Sequence, residues 1–87
     1  MTVSYKVLVK RSAEKELRGI PKAVLSKIVS KIGTLASNPR PHGCESLAGS
    51  DRQYRLRQND YRIVYVIDDA KREVTIAKVA HRSEVYK

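Results

Sequence analysis

An α+β fold in the order β-α-α-β-β-β, with two N-terminal helices packed on a mainly antiparallel sheet, is what this sequence predicts. Three patterns carry that expectation. Apolar and polar residues alternate at both ends of the chain, a middle stretch repeats apolar residues every three or four positions, and turn-forming residues punctuate the C-terminal half. With 87 residues, the chain is expected to form a single domain, residues 1–87, close to the lower size at which an apolar core suffices without staples.

Val3, Tyr5, Val7 and Val9 alternate with Ser4, Lys6 and Lys10, which predicts a first strand with one buried face. Ser12 reads as a helix N-cap, with Glu14 and Glu16 favourable near the N-terminus and Gly19 as a stop. Pro21 suits the first position of a second helix from Ile20 to Ala36, along which Val24, Leu25, Ile28, Ile32, Leu35 and Ala36 form an apolar stripe opposite Lys22, Lys27 and Lys31. The run Asn38-Pro39-Arg40-Pro41-His42-Gly43 ends the helical region, because each proline biases the residue before it away from helix. Strands are then expected over Arg52–Arg57, Tyr61–Ile67 and Glu73–Val79, the last two joined by a turn at Asp68-Asp69-Ala70-Lys71, with Val74, Ile76 and Lys78 sharing a face.

The hairpin register is argued from what each alternative buries. A two-residue turn at Gln58-Asn59 opposes Arg57 to Asp60, Leu56 to Tyr61, Arg55 to Arg62 and Tyr54 to Ile63. Tyr54, Leu56, Tyr61, Ile63 and Tyr65 then fall on one side, and Arg55, Arg57 and Arg62 on the other. A three-residue loop mixes charge with core. Arginines opposed across a ladder repel, so this outer face favours an anion between them.

The charge points the same way. Eighteen Lys and Arg against nine Asp and Glu give +9, a field that attracts polyanions, with nucleic acid leading over anionic lipid or an acidic protein. A single cysteine, Cys44, and two histidines in separate segments, His42 and His81, give neither a disulfide framework nor a zinc site, so no metal or other cofactor is expected. The first twenty residues hold five basic side chains and no long apolar run, and Ile63–Ile67 is too short to span a membrane, so a cytoplasmic protein is expected.

An arginine cluster that binds a pentacovalent phosphorane more strongly than the ground state accelerates phosphodiester cleavage. RNA supplies its own nucleophile, the 2′-hydroxyl, so the enzyme needs alignment, charge stabilisation and proton transfer, without a required metal. Arg55, Arg57, Arg62 and the tail residue Arg82 are the candidate phosphate ligands. His81, beside Arg82, and Glu84 are the candidate proton carriers, and Tyr86 a base-stacking or proton-orienting residue.

Taken together, the short first strand followed by two helices, the Asn38-Pro39 loop, Leu47-Ala48-Gly49, Tyr54-Arg55-Leu56-Arg57, Asp60-Tyr61-Arg62-Ile63-Val64-Tyr65, the Asp68-Asp69 turn and His81-Arg82-Ser83-Glu84-Val85-Tyr86 resemble RelE-type toxins of the RelE/ParE superfamily. The resemblance covers the whole chain. It implies the toxin of a type II toxin-antitoxin pair, a metal-independent mRNA interferase that cuts messenger RNA in the ribosomal A site by 2′-hydroxyl attack. It implies the ribosome and mRNA as partners, an acidic cognate antitoxin encoded next door, and operator DNA contacted only through the antitoxin complex. By position, Arg55 matches a basic residue of the second strand, Arg62 the transition-state arginine, Arg82 matches or lies beside the tail arginine, and Tyr86 matches the stacking tyrosine. Arg55, Arg57, Arg62 and Lys87 are read as RNA-binding, and His81 as an acid or base. Two positions depart from the pattern: Gln53 and Arg55 stand where some members have lysines, and a guanidinium is a poor base. Proton transfer is therefore expected from His81 or Glu84, or from the ribosome. The superfamily also contains ParE-like inhibitors of DNA gyrase, and an RNA-binding module without catalysis would use the same arginine face.

Overall fold

The computed structural model describes residues 4–47, 49 and 52–85, with the side chains of Glu84 and Val85 left out. Val3, Ala48, Tyr86 and Lys87 therefore lie outside the described residues. The elements are β1 (Lys6–Val9), α1 (Arg11–Arg18), α2 (Lys22–Thr34), β2 (Glu45–Ser46), β3 (Gln53–Gln58), β4 (Tyr61–Asp68), β5 (Glu73–His81) and α3 (Arg82–Val85). The five strands form one sheet in the order β1-β5-β4-β3-β2, parallel between β1 and β5 and antiparallel elsewhere. The expected α+β fold, two helices on a mainly antiparallel sheet, is the one observed, with a two-residue strand and a last helical turn added.

Helix α1 begins one residue earlier than its expected cap. Lys10, just past β1, still bonds to the sheet, donating its N–H to the Ile76 carbonyl at 3.0 Å, and its own carbonyl accepts the Glu14 N–H at 2.9 Å to open the helix. Ser12 therefore sits inside the first turn, and Lys10 occupies the cap position with extended backbone and no side-chain cap. Pro21 likewise stands just before α2 rather than inside it, its carbonyl accepting the N–H groups of Val24 and Leu25.

The core fills the space between one face of the sheet and the two helices. Ala13 of α1 and Ile28 and Ile32 of α2 pack with Ile20 and Leu35 against Leu56, Ile63, Tyr65, Ile67, Val74, Ile76 and Val79. Helix α1 lies chiefly against β5 and α2 over β3. Tyr65, fully enclosed, donates its phenol to the Pro39 carbonyl at 2.9 Å, which meets the requirement that a buried hydroxyl be bonded.

Two registers differ from expectation. The hairpin turn is Asn59-Asp60, one residue later than expected, so Gln58 pairs with Tyr61, Leu56 with Ile63, and Arg62 with Arg57 instead of Arg55. Asn59 takes a left-handed φ of 55°, which asparagine tolerates better than most side chains, and this favours it as the first turn residue. Sliding both partners by one residue leaves every side chain on its expected face. In β5, Val64 pairs with Lys78 but Tyr65 with Ile76, so Ala77 is an extra residue in a bulge. Beyond it the alternation flips: Val79, and not Lys78, joins Val74 and Ile76 in the core.

Candidate functional site

Strand alternation turns Arg55, Arg57 and Arg62 to the sheet face opposite the helices. There they line one pocket of about 240 Å³ together with Gly43 and Glu45. Arg62 lies on the central strand β4 between Arg57 of β3 and the small Ala80 of β5. It is 8% exposed, and it is the one buried charged residue among those described. Three guanidiniums against one carboxylate leave the lining at a formal +2 (three minus one). The ladder adds to this by opposing Arg57 directly to Arg62.

Glu45 arrives through β2, whose ladder sets it opposite Arg55, and its Oε2 lies 3.4 Å from Arg55 Nη2. The Glu45 side chain is 68% exposed and that of Arg55 27%, so the carboxylate keeps access to solvent and to anything entering the pocket. Gly43 precedes it with φ 94°, a backbone state that suits glycine and turns the loop into β2.

The loop itself is tied to the far end of the sheet. Arg40 forks onto Asp69 in the β4–β5 turn, Nη2 to Oδ2 at 2.8 Å and Nη1 to Oδ1 at 3.2 Å. Its Nε donates to the Tyr54 hydroxyl at 3.0 Å, and its guanidinium sits 5.2 Å from the centre of that ring. The Tyr5 hydroxyl donates to Asp69 Oδ1 at 2.7 Å. The Arg40 guanidinium, with help from the Tyr5 hydroxyl, holds the Asp69 carboxyl down at about 2, and the same carboxylate raises the Tyr5 phenol.

The remaining sequence candidates lie elsewhere. His81 ends β5 on the helix-covered face, edge-on to Tyr61 at 5.4 Å, and lines a separate pocket with Lys15, Glu16 and Ile20. Its Nδ1 accepts the Ser83 N–H at 3.3 Å and lies 2.9 Å from the Ser83 hydroxyl. The bulge at Ala77 and the two extra residues of β5 set this orientation, so His81 is not brought to the arginine pocket. Arg82 is at the hairpin turn, its N–H donating to the Asp60 carbonyl at 2.7 Å and its Nε 3.9 Å from Asp60 Oδ1. Among the described residues, no three His, Cys, Asp or Glu side chains gather as metal ligands. Nor is any helix there long and apolar enough to cross a membrane.

The family model for the ParE toxin of the type II toxin-antitoxin system parDE matches residues 7–86. The chain is also 31% identical to toxin RelE of Mycobacterium tuberculosis, over 95% of this chain and 87% of that protein. The chain belongs to the RelE/ParE toxin family. Solved RelE structures share its fold. The archaeal RelE-RelB complex from Pyrococcus horikoshii OT3 matches with a TM-score of 0.82 and 26% identity, over 91% of this chain and 96% of that one. The isolated E. coli RelE toxin matches with a TM-score of 0.80 and 29% identity, over 95% and 92% of the two chains.

This RelE-type toxin thus gathers the three strand arginines read from its sequence, and adds Glu45, which the sequence reading passed over. The signal for Glu45 was slight. A carboxylate just after Gly43 and ten positions before Arg55 becomes significant only once β2 is known to pair with β3.

Proposed function

We propose that this toxin is a metal-independent mRNA endoribonuclease that works on the ribosome and that a cognate antitoxin neutralises. The observation that carries the reading is the pocket in which Arg55, Arg57 and Arg62 surround a space beside the Glu45 carboxylate. The three guanidiniums offer forked donors to the non-bridging oxygens of a phosphodiester. Arg62, held by its burial, is the group best placed to stabilise the phosphorane, because a fixed donor does not have to reorganise as charge develops. Arg57 and Arg55 hold the backbone.

The proton acceptor in this scheme is Glu45. It takes the proton of the 2′-hydroxyl as that oxygen attacks the adjacent phosphorus; the bond from phosphorus to the 5′-oxygen breaks, leaving a 2′,3′-cyclic phosphate and a 5′-hydroxyl. A guanidinium hydrogen bond stabilises the departing oxygen, which water or the ribosome protonates. Arg55 orients the Glu45 carboxylate through their contact. Arg82 contributes charge beside the hairpin turn, and Tyr86 is the stacking residue. His81 has no part in the proton transfer in this scheme.

RelE-RelB complexes among the structures that share the fold support an antitoxin partner, and the +9 charge favours an acidic one. The family model's description as a ParE toxin favours a second reading, inhibition of DNA gyrase without cleavage of RNA. Inducing the toxin in cells while following protein and DNA synthesis separates the two. The RNase reading expects incorporation of labelled amino acid to stop first, with no DNA-damage response; a damage response with translation continuing would support the gyrase reading.

A further inference from the structure

We propose that a single-stranded RNA held in the arginine pocket continues around the open edge of β3 onto helix α2, where Lys27 and Lys31 take its phosphates. This rests on the RNA reading above and extends it to the length of strand the toxin holds. A groove of about 430 Å³ runs along α2, lined by Ser26, Lys27, Ser30, Lys31, Thr34 and Gln58, all of them polar.

Helix α2 carries three lysines and no acidic residue, and none of the three has a carboxylate partner among the described residues. The other helix differs: on α1, Glu14 pairs with Arg18 at 2.7 Å and Glu16 with Lys78 at 3.2 Å. Lys27 and Lys31 are one turn apart, about 6 Å along the axis, on the scale of the separation between successive phosphates. Like charges at that spacing repel, and a polyanion laid along them relieves the repulsion. The Ser26 and Thr34 hydroxyls donate to carbonyls of their own helix, at 3.4 and 2.6 Å, which leaves their oxygens as acceptors along the groove.

The connection between the two sites is Gln58. As the last residue of β3 it follows Arg57, and alternation sends Arg57 to the arginine pocket and Gln58 to the helix groove. The β2 ladder covers β3 only at Tyr54 and Arg55, so from Leu56 to Gln58 no described strand shields that edge. A strand leaving the arginine pocket can pass there from one face to the other.

The test is fluorescence anisotropy with labelled 2′-O-methyl RNA, which 2′-hydroxyl attack cannot cut, as a tetranucleotide and a hexadecanucleotide over a salt series. Lys27→Ala/Lys31→Ala should weaken the long RNA about tenfold and flatten its slope of log K against log salt by about 1.4, two single-strand phosphates' worth. It should shift the tetranucleotide by less than about twofold, the size of a change in the general field. Lys6→Ala/Lys71→Ala, which removes the same charge elsewhere, should shift both RNAs less than about twofold, the size of a change in the general field. Equal binding of the long RNA by Lys27→Ala/Lys31→Ala, or equal weakening by the two double variants, overturns the proposal. No binding of either RNA by the unsubstituted toxin, or binding untouched by Arg62→Ala, overturns this extension, whereas the RNA reading itself is overturned only if messenger on programmed ribosomes stays intact.

Discussion

The two faces of the β3–β4 hairpin are built from the same dozen or so residues, and they do opposite things. Leu56, Ile63 and Tyr65 point under the helices and are closed off from water, whereas Arg55, Arg57 and Arg62, each directly next to one of those residues, line a pocket on the sheet face opposite α1 and α2. The covered face is stabilised by removal of apolar surface, and the open face spends stability by opposing Arg57 to Arg62. Folding and chemistry are therefore separable by a step of one residue, and substitutions on either face should report on one and not the other.

The largest effect expected is that of Arg62→Ala. Loss of the donor proposed to stabilise the phosphorane should lower cleavage by about 100- to 1,000-fold. Thermal unfolding followed by circular dichroism should show the fold retained, since the side chain lies outside the apolar core and its removal relieves the repulsion with Arg57. Its neighbour Ile63→Ala should do the reverse: about 2–5 kcal/mol lost in urea unfolding, through a cavity against Leu56, with the pocket groups unaltered in the fraction that stays folded. Equal effects of the two substitutions on stability would break the contrast between the faces.

Glu45→Gln sharpens the contrast within the open face. It keeps the shape and the contact to Arg55 but removes the proposed proton acceptor, so single-turnover cleavage should fall about 100-fold with RNA binding nearly unchanged. His81→Ala, on the covered side, should alter cleavage less than about threefold, set against the 100-fold or greater losses that removing a proton carrier brings.

The smallest effect concerns the tether of the loop. Asp69 has its carboxyl depressed to about 2 from an ordinary value of 3.8, so its pairing with Arg40 contributes stability that is fully present above about pH 4 and lost as pH falls toward 2. The difference in melting temperature between the toxin and its Asp69→Asn variant should accordingly be constant at neutral pH and shrink on acidification. A difference that grows on acidification would contradict the pairing.

Much of this was legible in the sequence because side-chain periodicity encodes faces. The apolar stripe of α2 and the alternation of β3 and β4 determine what is buried, and the arginine cluster follows from that alone. Periodicity is blind to pairing, however. A turn at Gln58-Asn59 and one at Asn59-Asp60 put the same residues on the same faces, so the partner of Arg62 could not be read from alternation. The bulge at Ala77 inserts one residue without any turn signal, which reversed Lys78 and Val79 and carried His81 to the helix side. Strand β2, at two residues, is too short to show a period, and with it went Glu45. These are features decided by backbone pairing between distant segments, and the site depends on each of them.

The most direct measurement is to map 5′ ends by primer extension on one messenger after adding purified toxin, with and without programmed ribosomes, beside Arg62→Ala and Glu45→Gln. New ends at the A-site codon that require ribosomes and disappear with either substitution are the expected result. Intact messenger under every condition, or cuts that persist undiminished in Arg62→Ala, would contradict the assignment of the arginine pocket as a ribonuclease site.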